Sequence, residues 1–195
     1  DPDLWSHRAA LRLNESLWRA SRGENADEGF AAAEADAGEA VERDPHAARC
    51  WRRRATVRLR RALYVQSCGG DPMPLLDAAE ADAQQALRCD PNSAEGWCRS
   101  GQVRTERGNR RAATGADPRE SYEAAIGDFT RALERSPGVA EARVGRGAAH
   151  MGAALAAASA GGDPAALFAL AEADFLAARG ATPRHPDPRR FLGTL

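Results

Sequence analysis

The chain has 195 residues, 27 basic and 28 acidic side chains and a formal net charge of −1. That balance argues against a bulk polycation built for nucleic acid, and no apolar run reaches the ~18–20 residues of a membrane span. Every basic residue is arginine, alanine and glycine abound, and Ile126 is the only isoleucine. Such composition points to a GC-rich, bacterial genome. No signal peptide is visible and the chain starts without Met, so it reads as a segment of a longer cytoplasmic protein.

In chain order the dominant feature is a repeat. Pro45, Pro91, Pro137 and Pro183 stand 46 residues apart, as do Trp5, Trp51 and Trp97, and Asp36, Asp82, Asp128 and Asp174. The units span about 1–46, 47–92, 93–138 and 139–184, with a short C-terminal capping helix expected at 185–195. Periods of 20–50 residues signify a solenoid. In the first unit, Asn25-Ala26 separates a first helix from an acid-rich second one, Asp27 to Glu42. In the second, Trp51, Ala55, Leu59 and Ala62 recur at helical spacing within a helix from about Ala47 to Ser67. Gly69 or Gly70 is placed to end that helix in a left-handed conformation. Asp71-Pro72 then caps and opens the next helix, about Met73 to Cys89. Asp117-Pro118 and Asp163-Pro164 repeat the device. Nothing reads as a strand.

The stretches "ESYEAAIGDFTRALERSPGVAEARVGRG" (120–147) and "LLDAAEADAQQALRCDPNSAEGWCRSG" (75–101) carry a further signature. Ala125, Phe129, Ala132 and Pro137 in one, and Ala79, Ala83, Ala86, Pro91, Trp97 and Gly101 in the other, resemble the tetratricopeptide repeat (TPR). The resemblance implies an all-α, right-handed α-solenoid of four helical hairpins. Its inner wall would be built from the first helices and used to bind protein. The family's usual unit is about 34 residues, so each unit here holds about 12 more. Two extra turns on the first helix, a glycine turn and one extra turn on the second would account for them.

Seven arginines lie between Arg49 and Arg61, with no acid among them. On a helix, Arg49, Arg52, Arg53, Thr56 and Arg60 fall within about 100° of one another, while Arg54, Arg58 and Arg61 lie on another side. The second set repeats: Arg54 matches Arg8 and Arg146, with Ser100 the exception, and Arg58 matches Arg12, Arg104 and His150. Buried arginine needs a partner, and the Asp series supplies one in every unit. The expectation is an ion pair inside each repeat, joining Arg8 or Arg12 to Asp36, Arg54 or Arg58 to Asp82, Arg104 to Asp128 and Arg146 to Asp174. By the family's geometry, Arg49, Arg52, Arg53, Thr56 and Arg60 would face a groove with His7 and Asn14 from the first unit. Arg99 and Gln102 would join from the third. Arginine forks suit carboxylates, so the expected partner is an acidic or C-terminal peptide segment.

The chain lacks a phosphate loop, HExxH, G-x-S-x-G and a kinase catalytic loop, so no enzyme activity and no cofactor is expected. Cys50, Cys68, Cys89 and Cys98 show no zinc spacing and read as reduced thiols. The family's chaperone-tail clamp would need Lys and Asn where Ser6, Ala10, Arg53 and Glu95 stand, and only Arg99 fits. Heat-shock tails are therefore disfavoured. Two alternatives stay open: nucleic acid along the Arg49–Arg61 helix, against which the acidic second helices argue, and end-to-end self-association.

Overall fold

The structure, a computed structural model, describes residues 1–181. Among these are eight α-helices and no strand: α1 (Pro2–Ser21), α2 (Asp27–Arg43), α3 (Ala48–Ser67), α4 (Met73–Cys89), α5 (Ala94–Ala113), α6 (Arg119–Arg135), α7 (Ala140–Ser159) and α8 (Ala165–Ala181). Each first helix has 20 residues and each second helix 17. The expected capping helix at 185–195, and Pro183, lie outside the described residues.

The turns between paired helices explain why both ends recur so strictly. Gly69 has φ +82°, and Gly23, Gly115 and Gly161 match it. With Gly69 left-handed, its N–H donates to Gln66 O (3.0 Å) and the Gly70 N–H to Val65 O (2.9 Å), closing the last turn of α3. Asp71 Oδ1 then accepts from the Met73 amide at 3.2 Å, Asp117 from Arg119 at 3.0 Å and Asp163 from Ala165 at 2.9 Å. Pro72 sits one residue earlier than the sequence suggests. It precedes α4 rather than occupying its first turn, and its carbonyl accepts the first helical bond, from Leu76.

The chain divides into two compact units, Asp1–Asn92 with α1–α4 and a second from Ser93 onward with α5–α8. Within each, the helices of a hairpin pack together. The second helix of the leading hairpin lies on the first helix of the following one, and the two first helices touch. Ala9, Leu13, Phe30, Ala33, Ala37 and Val57 form a core cluster of the first unit. Cys98, Ala125, Phe129, Ala132, Ala142 and Ala149 form one in the second. Alanine dominates because closely approaching helix backbones leave little room, and single phenylalanines fill what remains.

One apolar face of α1 stays open. Leu4, Leu11 and Trp18 are 67%, 71% and 58% exposed, whereas Cys50 and Val57, one repeat later, are fully buried under the leading hairpin.

Candidate functional site

The four aspartates of the repeat are the most deeply set charges among the described residues, all at or below 6% exposed. Arg8 grips Asp36 with two bonds, Nε to Oδ2 at 2.7 Å and Nη2 to Oδ1 at 2.6 Å, and Arg12 Nη1 adds a third at 2.9 Å. Asp82 is held the same way, by Arg54 at 3.0 and 2.7 Å and by Arg58 at 2.8 Å. Arg146 reaches Asp174 at 2.9 and 2.6 Å. Paired forks of this kind satisfy the carboxylate's lone pairs, which makes its burial tolerable.

The third hairpin departs from this pattern and repairs it. Ser100 Oγ donates to Asp128 Oδ2 at 2.6 Å, Arg104 Nη1 bonds the same oxygen at 2.8 Å, and Arg131 of α6 approaches Oδ1 at 3.4 Å. Arg54 lies 4.8 Å over the Trp51 ring while pairing with Asp82, and Arg131 lies 4.8 Å over Trp97. Arg131 thus takes both tasks of the missing arginine from the other helix. In the fourth hairpin His150 replaces the second arginine, with Nε2 3.9 Å from Asp174 Oδ2. Its ring is buried and Nδ1 has no hydrogen-bond partner among the described residues. Burial lowers its pKa below the ordinary value; Asp174 opposes that shift and Arg146 adds to it.

The junctions between hairpins hold residues that the sequence alone did not single out. Arg58 donates from Nε to Glu34 Oε1 of α2 at 2.8 Å, besides its bond to Asp82, and Arg61 reaches Glu34 at 3.0 Å and Asp27 at 3.2 Å. Arg58 therefore ties the leading hairpin to the following one. Burial alone would raise the Glu34 carboxyl; the bonds from Arg58 and Arg61 outweigh it and hold the pKa below its usual value. At the matching junction of the second unit, Ile126 stands in the place of Glu34, and His150 and Ala153 in those of Arg58 and Arg61. Ile126 packs there against the apolar cluster.

The remaining arginines of α3 occupy the side of the helix away from Arg54, Arg58 and Arg61, between its two buried flanks. Arg49 is half-exposed and its Nε donates to Asp3 Oδ1 at 2.6 Å, so part of its charge is already answered by α1. Arg52 is half-buried and its carbonyl accepts from Thr56 Oγ1 at 2.8 Å. Arg60 is exposed, Arg53 half-buried, and among the described residues neither has an acidic partner. His7 and Asn14 on α1 are both exposed. Arg99 and Gln102 belong to the second unit. There Arg99 Nη1 donates to Gln102 Oε1, and Gln102 Nε2 donates to Glu141 Oε1 of α7 at 2.7 Å. Those two residues form their own chain of bonds.

All four cysteines are free, and burial pushes the Cys98 thiol up to about 12. Among the described residues no cluster of three metal-ligating side chains occurs, and no helix is long and apolar enough to cross a membrane.

No protein-family model matches the sequence, and no curated protein matches it. Solved structures do. The first TPR domain of the human RPAP3 protein superposes with a TM-score of 0.51 at 18% identity, covering 79% of this chain and 98% of that one. A thermophilic TPR protein of Thermus thermophilus, TTC0263, gives 0.49 at 14% identity over 95% and 97%. The first TPR of Spaghetti (RPAP3), solved bound to the HSP90 peptide SRMEEVD, gives 0.43 at 19% identity over 70% and 86%. The fold of this chain is the tetratricopeptide-repeat fold, in units of 46 residues.

Proposed function

We propose that the chain is a non-enzymatic interaction scaffold that binds an acidic or C-terminal peptide segment on the exposed face of α3. Arg49, Arg52, Arg53, Thr56 and Arg60 would meet its carboxylates, with His7 and Asn14 beside them on α1. One observation carries this reading. Arg54, Arg58 and Arg61 are answered by carboxylates, whereas Arg53 and Arg60 have none among the described residues. A fluorescent peptide of glutamates ending in a free carboxylate is expected to bind and to weaken with salt. Arg53→Glu with Arg60→Glu is expected to weaken it at least tenfold at unchanged helicity, since no carboxylate among the described residues loses its partner. Equal affinity for the double variant sinks the proposal. Amidating the peptide separates C-terminal from side-chain carboxylate recognition. A cytoplasmic location belongs to the same reading and rests on the four free thiols.

The ion pairs of Arg54, Arg58 and Arg61 also argue against nucleic acid, since they leave α3 fewer cations for phosphates. Self-association has a separate observation behind it, the open apolar face of Leu4, Leu11 and Trp18. It predicts a mass in light scattering that rises with concentration and returns to the monomer in Leu11→Asp.

A further inference from the structure

The second unit contains a cavity of about 740 Å³ between α5 and α7. It is walled by Thr105, Glu106 and Asn109 of α5 and by Met151, Leu155 and Ala156 of α7, with the ring of Tyr122 from α6 also on its wall. Part of the wall belongs to the last turns of the two 20-residue first helices, the turns that lengthen this repeat.

The first unit provides an internal control, because every position has a counterpart 92 residues earlier. Ala156 corresponds to Tyr64, Thr105 to Leu13 and Tyr122 to Phe30. In the first unit the Tyr64 ring packs against Phe30 in a tilted pair with centroids 5.0 Å apart. Its hydroxyl accepts from the Ala26 amide at 3.0 Å and donates to Asn25 Oδ1 at 3.3 Å. A depression of about 720 Å³ along that turn has Tyr64 in its wall. In the second unit alanine replaces this aromatic wall, and the cavity reaches Thr105, Tyr122 and Met151.

The base of the cavity is held open by packing. Tyr122 lies between Gly108 and Gly152, where an added Cβ would meet its ring at 2.6 and 2.5 Å, and its hydroxyl donates to Asn109 Oδ1 at 2.9 Å. The two close backbone contacts and this bond favour the Tyr122 ring where it lies over a position across the gap.

The polar groups choose among aromatic occupants. The amide that donates to the Tyr64 hydroxyl belongs to Ala26, and its counterpart, Pro118, has no N–H. The counterpart of the acceptor Asn25 is Asp117, a carboxylate that Arg119 already grips, Nη2 to Oδ2 at 2.7 Å. Glu106 adds another on the α5 wall, where Oε2 accepts from Asn109 Nδ2 at 3.2 Å and Oε1 is left over. A ring seated here finds no backbone donor at Pro118, and the donors of Arg119 on the same wall are turned to Asp117. The acceptor left to it is Glu106, which suits an indole N–H, a donor only.

We propose that this cavity takes a tryptophan side chain of a partner segment. The indole occupies the place Tyr64 fills in the first unit, its N–H turned to Glu106 and its ring on Tyr122. The volume exceeds one ring, leaving room for the residues flanking it.

The chain holds four tryptophans of its own, so amide NMR of the labelled full chain is the appropriate readout. A five-residue peptide with a central tryptophan is expected to give saturable shifts at Thr105, Asn109 and Gly152. The same peptide with phenylalanine should bind at least threefold more weakly, and free indole should bind more weakly than the tryptophan peptide. Ala156→Tyr restores the side chain the first unit uses and should abolish the shifts. If that variant does not fold, Ala156→Leu should weaken binding at least threefold. No saturable shifts for the wild type, equal binding of the phenylalanine peptide, or unimpaired binding by the folded Ala156 variant overturns the proposal. Free indole binding as tightly as the peptide overturns the assignment to a partner segment.

Discussion

Asp82 receives Arg54 and Arg58 on both its oxygens while almost wholly removed from water. Asp82→Ala strands the Arg54 guanidinium, leaves Arg58 only its bond to Glu34, and should cost about 3–5 kcal/mol, read from urea unfolding. His150 makes stability depend on pH. Its folded pKa lies below the unfolded value of about 6.5, so the unfolded chain takes up the proton first. Stability therefore falls as pH drops through about 6.5 and levels off below the folded pKa. The urea midpoint should drop more between pH 7.5 and 5.5 in the wild type than in His150→Arg, whose guanidinium can answer Asp174 as Arg58 answers Asp82. The Arg–Asp pairs were legible because both partners recur at a fixed 46-residue step. Arg131 was not, since it reaches Asp128 from three residues away on the same helix and fills a place the period assigns to Ser100. Glu34 was equally hidden among the other acids of α2, because what distinguishes it is an arginine pair on the next hairpin.

At the scale of the element, α3 and α4 fall within one residue of the limits expected from sequence. That precision has a cause. A left-handed glycine stops one helix, and an aspartate two residues later starts the next, so the ends are fixed chemically rather than left to fray. Gly69→Ala places a Cβ in open space yet forces a left-handed backbone on it, and should cost about 1–2 kcal/mol in the same urea assay. Gly69→Asn should cost less, because asparagine tolerates that region. The open face of α1 was harder to read. Leu4, Leu11 and Trp18 share the spacing of the buried Cys50 and Val57 and the half-buried Tyr64, and only the packing tells which set is covered.

At the scale of the molecule, a period that runs without a gap through Asn92 contains no sign of the division found there. Periodicity reports which residues are equivalent, and compactness depends on which neighbours they meet. The first unit has its own cores and its own ion-paired junction. Residues 1–92 expressed alone should therefore be helical by circular dichroism and unfold cooperatively in urea. A fragment without a transition would show that the unit needs the rest of the chain. The cavity of the second unit became visible only when equivalent positions were compared in space, since alanine at 156 is unexceptional in a chain so rich in it.

The inter-hairpin junctions inside the two units, one ionic at Glu34 and one apolar at Ile126, make the second and fourth hairpins poor substitutes for each other. Transplanting the fourth hairpin behind the first would set His150 and Ala153 opposite a carboxylate that two guanidinium groups now hold. The reverse graft would press two guanidinium groups onto isoleucine. Gene duplication can lengthen such a protein only where both edges of the copy agree in chemistry with their new neighbours, so the modules behave like words under a grammar rather than interchangeable bricks.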